Sequence, residues 1–301
     1  MKNKIRYTPE RTFTVKEDGF FGEFYHAEKD QFPGKTMIAF GGSQGLFLLC
    51  QWMAEKFVDA GMNIMIIAYH GEEGLPENLK DQPADAVEKA AVWLKENGFE
   101  KIGLWGISMG GTLALLAGSK LPDLISCVVS IAPMEMIPQA EDAKRPIDGS
   151  AFSWHGQSLP FMKYVPSDGK EWAKIYKKQS WVHKEPYARD LLEEAYEANE
   201  NSDAMIPVWN IHGPILLLGS YQDSMCPDEK TIPRLVQQLK EHNFTYPVET
   251  HLYAHISHLI VPVRPYSLKF FKAERKDPAG CKEDREQSWK DTLDFLHEKW
   301  N

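Results

Sequence analysis

The sequence predicts an α/β protein built on a mostly parallel, doubly wound sheet, and three observations carry that prediction. Apolar runs without polar alternation recur along the chain, as expected of strands buried on both faces. Each is followed by a helix-forming stretch, the order a parallel sheet requires. Near the middle, a strand-like run passes into Gly106-Ile107-Ser108-Met109-Gly110 and then into a run of small helical residues.

Taken in order, Phe13-Thr14-Val15 and Phe20–Tyr25, separated by Asp18-Gly19, predict an aromatic N-terminal hairpin. Thr36–Phe40 reads as a buried strand, and 46–60 as a helix closed by Gly61. Asn63–Tyr69 is a second buried strand, and 83–97 a helix stopped by Asn97-Gly98. Lys101–Trp105 feeds the Gly-x-Ser-x-Gly turn, Gly111–Gly118 continues as helix, and Leu124–Ile131 is the next strand. Ile215–Leu218, a helix over 228–242, the strand Val248–Tyr253 and a helix over 284–299 complete the alternation. The stretch 134–209 breaks the pattern and is too long for a simple loop. It is rich in aromatic residues and has helical pieces at 168–180 and 187–199. We read it as a largely helical cap over the carboxyl edge of the sheet, where ligands of such sheets bind. Residues 1–133 and 210–301 then form one core domain, the alternative for 134–209 being an excursion with its own small core.

With 301 residues, 43% of them hydrophobic and 26% charged, the chain suits a large globular core. A net charge of -9 argues against nucleic acid or an anionic membrane surface as partner. Cys50, Cys127, Cys226 and Cys281 have no paired spacing, which points to a reducing compartment without disulfides or a zinc site. The basic N-terminus lacks the apolar run of a signal peptide, and no stretch approaches the ~18 apolar residues of a membrane helix. The expectation is a cytoplasmic protein with no membrane partner, cofactor or metal.

A strand–Gly-x-Ser-x-Gly–helix order is the context of a nucleophile elbow, which lifts a serine hydroxyl clear of the sheet. An ordinary tight turn is the bland alternative. A serine hydroxyl needs a base to take its proton and an acid to orient that base. In chain order, acid and then histidine should follow Ser108. Past Ile215–Leu218 comes Gly219-Ser220-Tyr221-Gln222-Asp223, which puts Asp223 where the chain leaves the sheet. Asp228 competes, but its position suits a cap for the helix that starts there. Past Val248–Tyr253, His258 is the candidate base, His255 the second choice, and His251 is held within the strand. For an oxyanion hole, the N–H groups of Met109 and of Ser43, with Gln44 as alternative to Ser43, are the candidate donors. Gly41-Gly42-Ser43-Gln44-Gly45 lacks the Gly-Lys-Ser/Thr ending of a phosphate-binding loop. From 163 to 184, six lysines (163, 170, 174, 177, 178 and 184) stand against Asp168 and Glu171. A solvated helix face explains this, as does a landing site for the phosphates of an anionic substrate such as a coenzyme A ester.

Several motifs in fixed order carry a family resemblance. They are Gly41-Gly42-Ser43, Ala68-Tyr69, Glu73-Gly74-Leu75-Pro76, Gly106–Gly111, Ser158-Leu159-Pro160, Gly213–Leu217 and His258-Leu259-Ile260. Over 35–299 the chain resembles the catalytic domain of acyl-CoA thioesterases and bile acid-CoA:amino acid N-acyltransferases. That family is a branch of the α/β-hydrolase fold near dienelactone hydrolase. The resemblance implies Ser108, Asp223 and His258 as nucleophile, acid and base. It departs at Met109, where family members frequently carry lysine, and in the N-terminal hairpin, where mammalian members carry a β-sandwich domain. The family's transferases tend to use cysteine and its thioesterases serine, so Ser108 favours hydrolysis. The expected function is cleavage of a small-molecule acyl thioester or related ester through an acyl-enzyme. Alternatives are a carboxylesterase or peptidase on the same triad, an N-acyltransferase, and a non-catalytic binding protein. The oligomeric state is open.

Overall fold

The main sheet holds eight strands in the order β1-β2-β4-β3-β6-β7-β12-β13, with β1 and β2 antiparallel to their neighbours and the rest parallel. Its strands are β1 (Arg11–Phe13), β2 (Phe21–Tyr25), β3 (Lys35–Phe40), β4 (Asn63–Ala68), β6 (Lys101–Ile107), β7 (Ile125–Ile131), β12 (Ile215–Ser220) and β13 (Val248–Tyr253). A computed structural model describes residues 5–43, 47–143, 145–200, 202–262 and 268–301. Every residue of β4 and β12 is buried. This is the physical reason their sequences show no polar alternation.

The helices α2 (Phe47–Asp59) and α9 (Pro278–Glu298) cover one face, and α3 (Ala86–Glu96), α4 (Met109–Lys120) and α7 (Asp228–Glu241) the other. On the first face Phe57 of α2 meets Trp105 of β6 and Trp289 of α9 edge-on, at centroid distances of 6.1 and 5.0 Å. That geometry suits the aromatic quadrupoles and ties both helices to the sheet. On the second face α4 is buried from Met109 to Ser119. Its small residues make this possible: a Cβ on Gly118 would lie 2.8 Å from Val128 Cγ2.

The N-terminal hairpin forms, although β1 ends at Phe13 and Val15 belongs to the helical turn α1 (Val15–Asp18). Thr14 caps that turn by accepting from Glu17 N–H, and Gly19 closes it at φ 77°. α9 begins six residues before the predicted 284, because the Asp277 carboxylate accepts Gly280 N–H and Pro278 fits the first turn.

Between β7 and β12 lie α5 (Gly169–His183) and α6 (Arg189–Ala198), near the two predicted helical pieces. The same stretch also contains strands the sequence reading did not separate. β8 (Gln139–Asp142) pairs with β9 (Arg145–Ser150), and β10 (Phe152–Trp154) joins β11 (Gln157–Ser158) and β5 (Gln82–Pro83). Tyr164, Trp172 and Tyr176 stack at centroid distances of 5.7 and 5.5 Å. Met136, Ile137, Met162, Leu191 and Ile206 belong to the same apolar cluster as the α3–α4 face. The short helix α8 (Lys272–Lys276) precedes α9. Among the described residues, no helix is long and apolar enough to cross a membrane.

Candidate active site

Ser108 joins β6 to α4 with φ 58° and ψ −124°, a conformation that costs a non-glycine residue on the order of 1–3 kcal/mol. Its N–H donates to Ile131 O at the end of β7 at 2.8 Å, and its carbonyl accepts Thr112 N–H of α4 at 3.0 Å, so the neighbouring strand and the following helix hold the strain. The flanking glycines are steric necessities. A Cβ on Gly106 would stand 2.1 Å from Gly110 O, and one on Gly110 would stand 2.2 Å from Gly41 O. Ser108 itself is half-buried.

The Gly41-Gly42-Ser43 turn lies against this elbow: a Cβ on Gly42 would be 3.4 Å from Ser108 Cβ and 3.8 Å from its Oγ. The buried Tyr69 hydroxyl donates to Gly41 O at 2.8 Å and fixes the turn. Met109 is the first residue of α4, so its N–H has no partner within the helix and points with the positive end of the macrodipole. Gln44, the alternative donor, lies outside the described residues.

Asp223 and His258 are in direct contact. His258 Nδ1 and Asp223 Oδ2 are 2.7 Å apart, with Asp223 1% and His258 8% exposed. Asp223 Oδ1 accepts the N–H groups of Met225 (2.6 Å) and Cys226 (2.9 Å), so the carboxylate is held from both sides. With Nδ1 donating to the carboxylate, Nε2 is the nitrogen left to act as a base. Ser108, Asp223 and His258 follow the carboxyl ends of β6, β12 and β13, on one edge of the sheet.

The competing candidates are placed elsewhere. The half-exposed His255 ring meets Asp277 at 3.1 Å, and His251 meets Glu249 at 2.8 Å. Asp228 does not cap α7; its Oδ2 accepts Ser220 N–H at 2.9 Å.

Sequence reasoning missed the groups that set the histidine loop. Asp284 of α9 accepts the N–H groups of His255 (2.7 Å) and Ile256 (2.9 Å), and Ser220 Oγ donates to Ile256 O. No local pattern marks either residue. His70 is a further omission. It is 8% exposed, its Nε2 has no hydrogen-bond partner, and burial pushes its pKa below the usual 6.5. With Gly41, Gly42, Phe47, Cys50 and Tyr69 it walls a cavity of about 20 Å³, room for roughly one water.

Asp223, Cys226 and His258 also bring potential metal-ligand atoms within 4.8 Å of one another. The chemistry disfavours a metal there. Both Asp223 oxygens already accept hydrogen bonds, and burial pushes the Cys226 thiol well above its ordinary pKa, away from the thiolate a metal needs.

The fold and this edge define the chain as an α/β-hydrolase fold. Solved structures agree: a putative dienelactone hydrolase from Klebsiella pneumoniae superposes with a TM-score of 0.57 at 13% identity, covering 93% of each chain. A dienelactone hydrolase-like promiscuous phosphotriesterase from metagenomic libraries also gives 0.57, at 12% identity, covering 96% of this chain and 97% of that one. Residues 86–301 match the family model described as BAAT / Acyl-CoA thioester hydrolase C terminal, and the chain belongs to that family. Among curated proteins it is similar to mouse acyl-coenzyme A thioesterase 1, 32% identical over 109 residues, 35% of this chain and 25% of that protein. Mouse acyl-coenzyme A thioesterase 6 is 36% identical over 106 residues, covering 34% and 24%. The matches thus span about a quarter of these relatives' length.

Proposed function

We propose that the chain hydrolyses acyl thioesters of coenzyme A through a serine acyl-enzyme. The observation that carries this reading is the buried Asp223–His258 contact on the same sheet edge as the strained Ser108, within a member of this family. In the proposed cycle Ser108 Oγ attacks the acyl carbonyl while His258 Nε2 takes its proton. Asp223 holds the imidazole with Nδ1 protonated and stabilises the imidazolium as it forms. The N–H groups of Met109 and Ser43 receive the oxyanion. The protonated imidazole then gives its proton to the leaving thiolate. Water, deprotonated by His258, releases the acid and restores Ser108.

Residues 134–209 are proposed as the cap over this edge. In support, Ala188 and Arg189 N–H donate to Ser224 O, and Arg189 Nη1 donates to Asp223 O, at 3.0–3.3 Å. The six lysines of 163–184 are all exposed, and none forms an ion pair among the described residues. They are proposed to receive the coenzyme A phosphates. Exchanging Lys174, Lys177, Lys178 and Lys184 for glutamate should raise KM for acyl-CoA about tenfold, near 1.4 kcal/mol. KM for the matching acyl-pantetheine, which lacks the nucleotide phosphates, should stay put. Equal shifts for both substrates would remove the phosphate assignment. Ser108→Ala with undiminished acyl-CoA turnover would remove the mechanism. Faster cleavage of a matched oxyester, or acyl transfer to added glycine or taurine, would move the chain to an esterase or transferase.

A further inference from the structure

The helix α5 has two unlike faces. One buries Trp172 and Ala173 and stacks Trp172 against the rings of Tyr164 and Tyr176, at centroid distances of 5.7 and 5.5 Å. The other carries Lys170, Lys174, Lys177 and Lys178, all exposed, and ends on Trp181, which is 81% exposed. Trp181 follows Lys178 and Lys177 by three and four residues, Lys174 by seven and Lys170 by eleven. That spacing places the five on one stripe of the helix. Apolar side chains scattered singly over a surface need no explanation. This indole needs one, because it stands open to solvent at the end of a row of ammonium groups, with Val182 58% exposed beside it.

The end of this stripe is tied to the candidate active site by the segment that leads into α8. Arg275 donates from Nη1 to the carbonyls of Lys269 and Phe270, and from Nη2 to that of Lys184, which closes α5. Lys272 N–H donates to Glu185 Oε2 at 2.7 Å. One residue earlier, the buried Phe271 ring lies 6.3 Å from the His258 imidazole, centroid to centroid. Lys269 and Lys272 are exposed on the same segment. A ligand that leaves His258 along these residues reaches a surface of ammonium groups with an open indole beside them.

Lysines suit phosphates, but a phosphate gives an indole nothing to contact. An aromatic base does, because every nucleobase has a π-face that can stack on a tryptophan. A bilayer fits less well. A helix lying on a membrane needs a continuous apolar face, and that of α5 is turned into the protein through Trp172, Ala173 and the tyrosine stack. The carboxyl end of α5 also carries the negative end of the helix dipole, so the attraction for phosphate there comes from the lysines and not from the backbone. We infer that Trp181 is the stacking platform for the adenine of a coenzyme A thioester, whose phosphates lie on the lysine stripe. The inference deepens the acyl-CoA reading and rests on it for the identity of the substrate, while binding of the nucleotide part is measurable without turnover.

Adenosine 3′,5′-bisphosphate is the probe, since it carries adenine and two phosphates and no acyl group. In calorimetry Trp181→Ala should weaken its binding about tenfold, the scale of one base–aromatic stack, and Trp181→Phe should stay within about threefold of wild type. Inorganic pyrophosphate, which has no base, should bind wild type and Trp181→Ala alike. KM for acyl-CoA should rise in Trp181→Ala by the same factor as the bisphosphate Kd. Trp181 is exposed enough for the variant to fold, and its melting temperature checks this. Unchanged bisphosphate affinity in Trp181→Ala overturns the inference, as does an equal loss for pyrophosphate. Adsorption to phosphatidylserine vesicles that depends on Trp181, with bisphosphate affinity intact, also overturns it and gives the patch to a membrane surface. Bisphosphate binding that requires Trp181, in a protein that turns over no acyl-CoA, would strike the hydrolase reading and leave the adenine platform standing.

Discussion

Asp223→Asn separates the chemistry of the buried pair from its contribution to stability. The carboxylate accepts three hydrogen bonds, two from backbone N–H groups and one from the imidazole. An amide oxygen replaces only one side of that arrangement. The backbone N–H groups cannot change their role, whereas the imidazole can change tautomer. The amide oxygen therefore stays on Met225 and Cys226, and the amide N–H turns toward His258. Nδ1 becomes the acceptor, and the proton moves to Nε2, which then cannot take one from Ser108 as the proposed cycle requires. Every contact remains hydrogen-bonded, so the stability loss should be the difference between charged and neutral bonds, about 0.5–1.5 kcal/mol. The catalytic loss should be far larger: about 10⁴-fold in kcat, near 5.5 kcal/mol, the magnitude found when a triad carboxylate becomes an amide. Urea unfolding and steady-state turnover on one preparation read both quantities. Turnover within about tenfold of wild type, or a loss confined to stability, would refute the reasoning.

Three further outcomes follow from the geometry. Gly106→Ala sets a Cβ 2.1 Å from backbone at the elbow and should destabilise the fold by about 1–3 kcal/mol or more, read by thermal melting; an unchanged melting temperature would discredit the packing described. Burial lowers the folded pKa of His70 below the 6.5 of the unfolded chain, so the unfolded state binds more protons between the two values. Stability should therefore fall as pH drops below about 6.5 toward the folded value, and His70→Gln should flatten that fall in urea titrations; parallel slopes would contradict it. All four cysteines are buried, with Cys50 and Cys281 pushed up to about 12 and Cys127 and Cys226 raised as well. Ellman's reagent should find no fast-reacting thiol in the native protein and four after denaturation, and rapid native labelling would count against that burial.

The parallel strands could be read from sequence because burial on both faces removes polar alternation, as in Asn63–Ala68 and Ile215–Ser220. The elbow could be read because a Cβ at Gly106 or Gly110 would stand within 2.5 Å of backbone oxygen, so both positions demand glycine. Asp223 and His258 could be singled out because each follows a recognisable strand, and the structure brings their side chains into contact. What escaped depends on long-range partners. β8 to β11 are short and partly polar, and they are defined by pairing with one another and with Gln82–Pro83. Asp228 sits where a helix cap belongs, but its carboxylate accepts the N–H of Ser220 at the end of β12 instead. Asp284 anchors the histidine loop from 26 residues beyond His258, with nothing local to announce it. Only the early start of α9 left a visible sign that was passed over, the Asp277-Pro278 pair.

The most direct measurement is peptide mass spectrometry after reaction with a fluorophosphonate. One covalent adduct on Ser108, absent from Ser108→Ala and formed at least about 10³-fold more slowly in His258→Ala, is the predicted result. No adduct, an adduct on another residue, or undiminished labelling without His258 would contradict it.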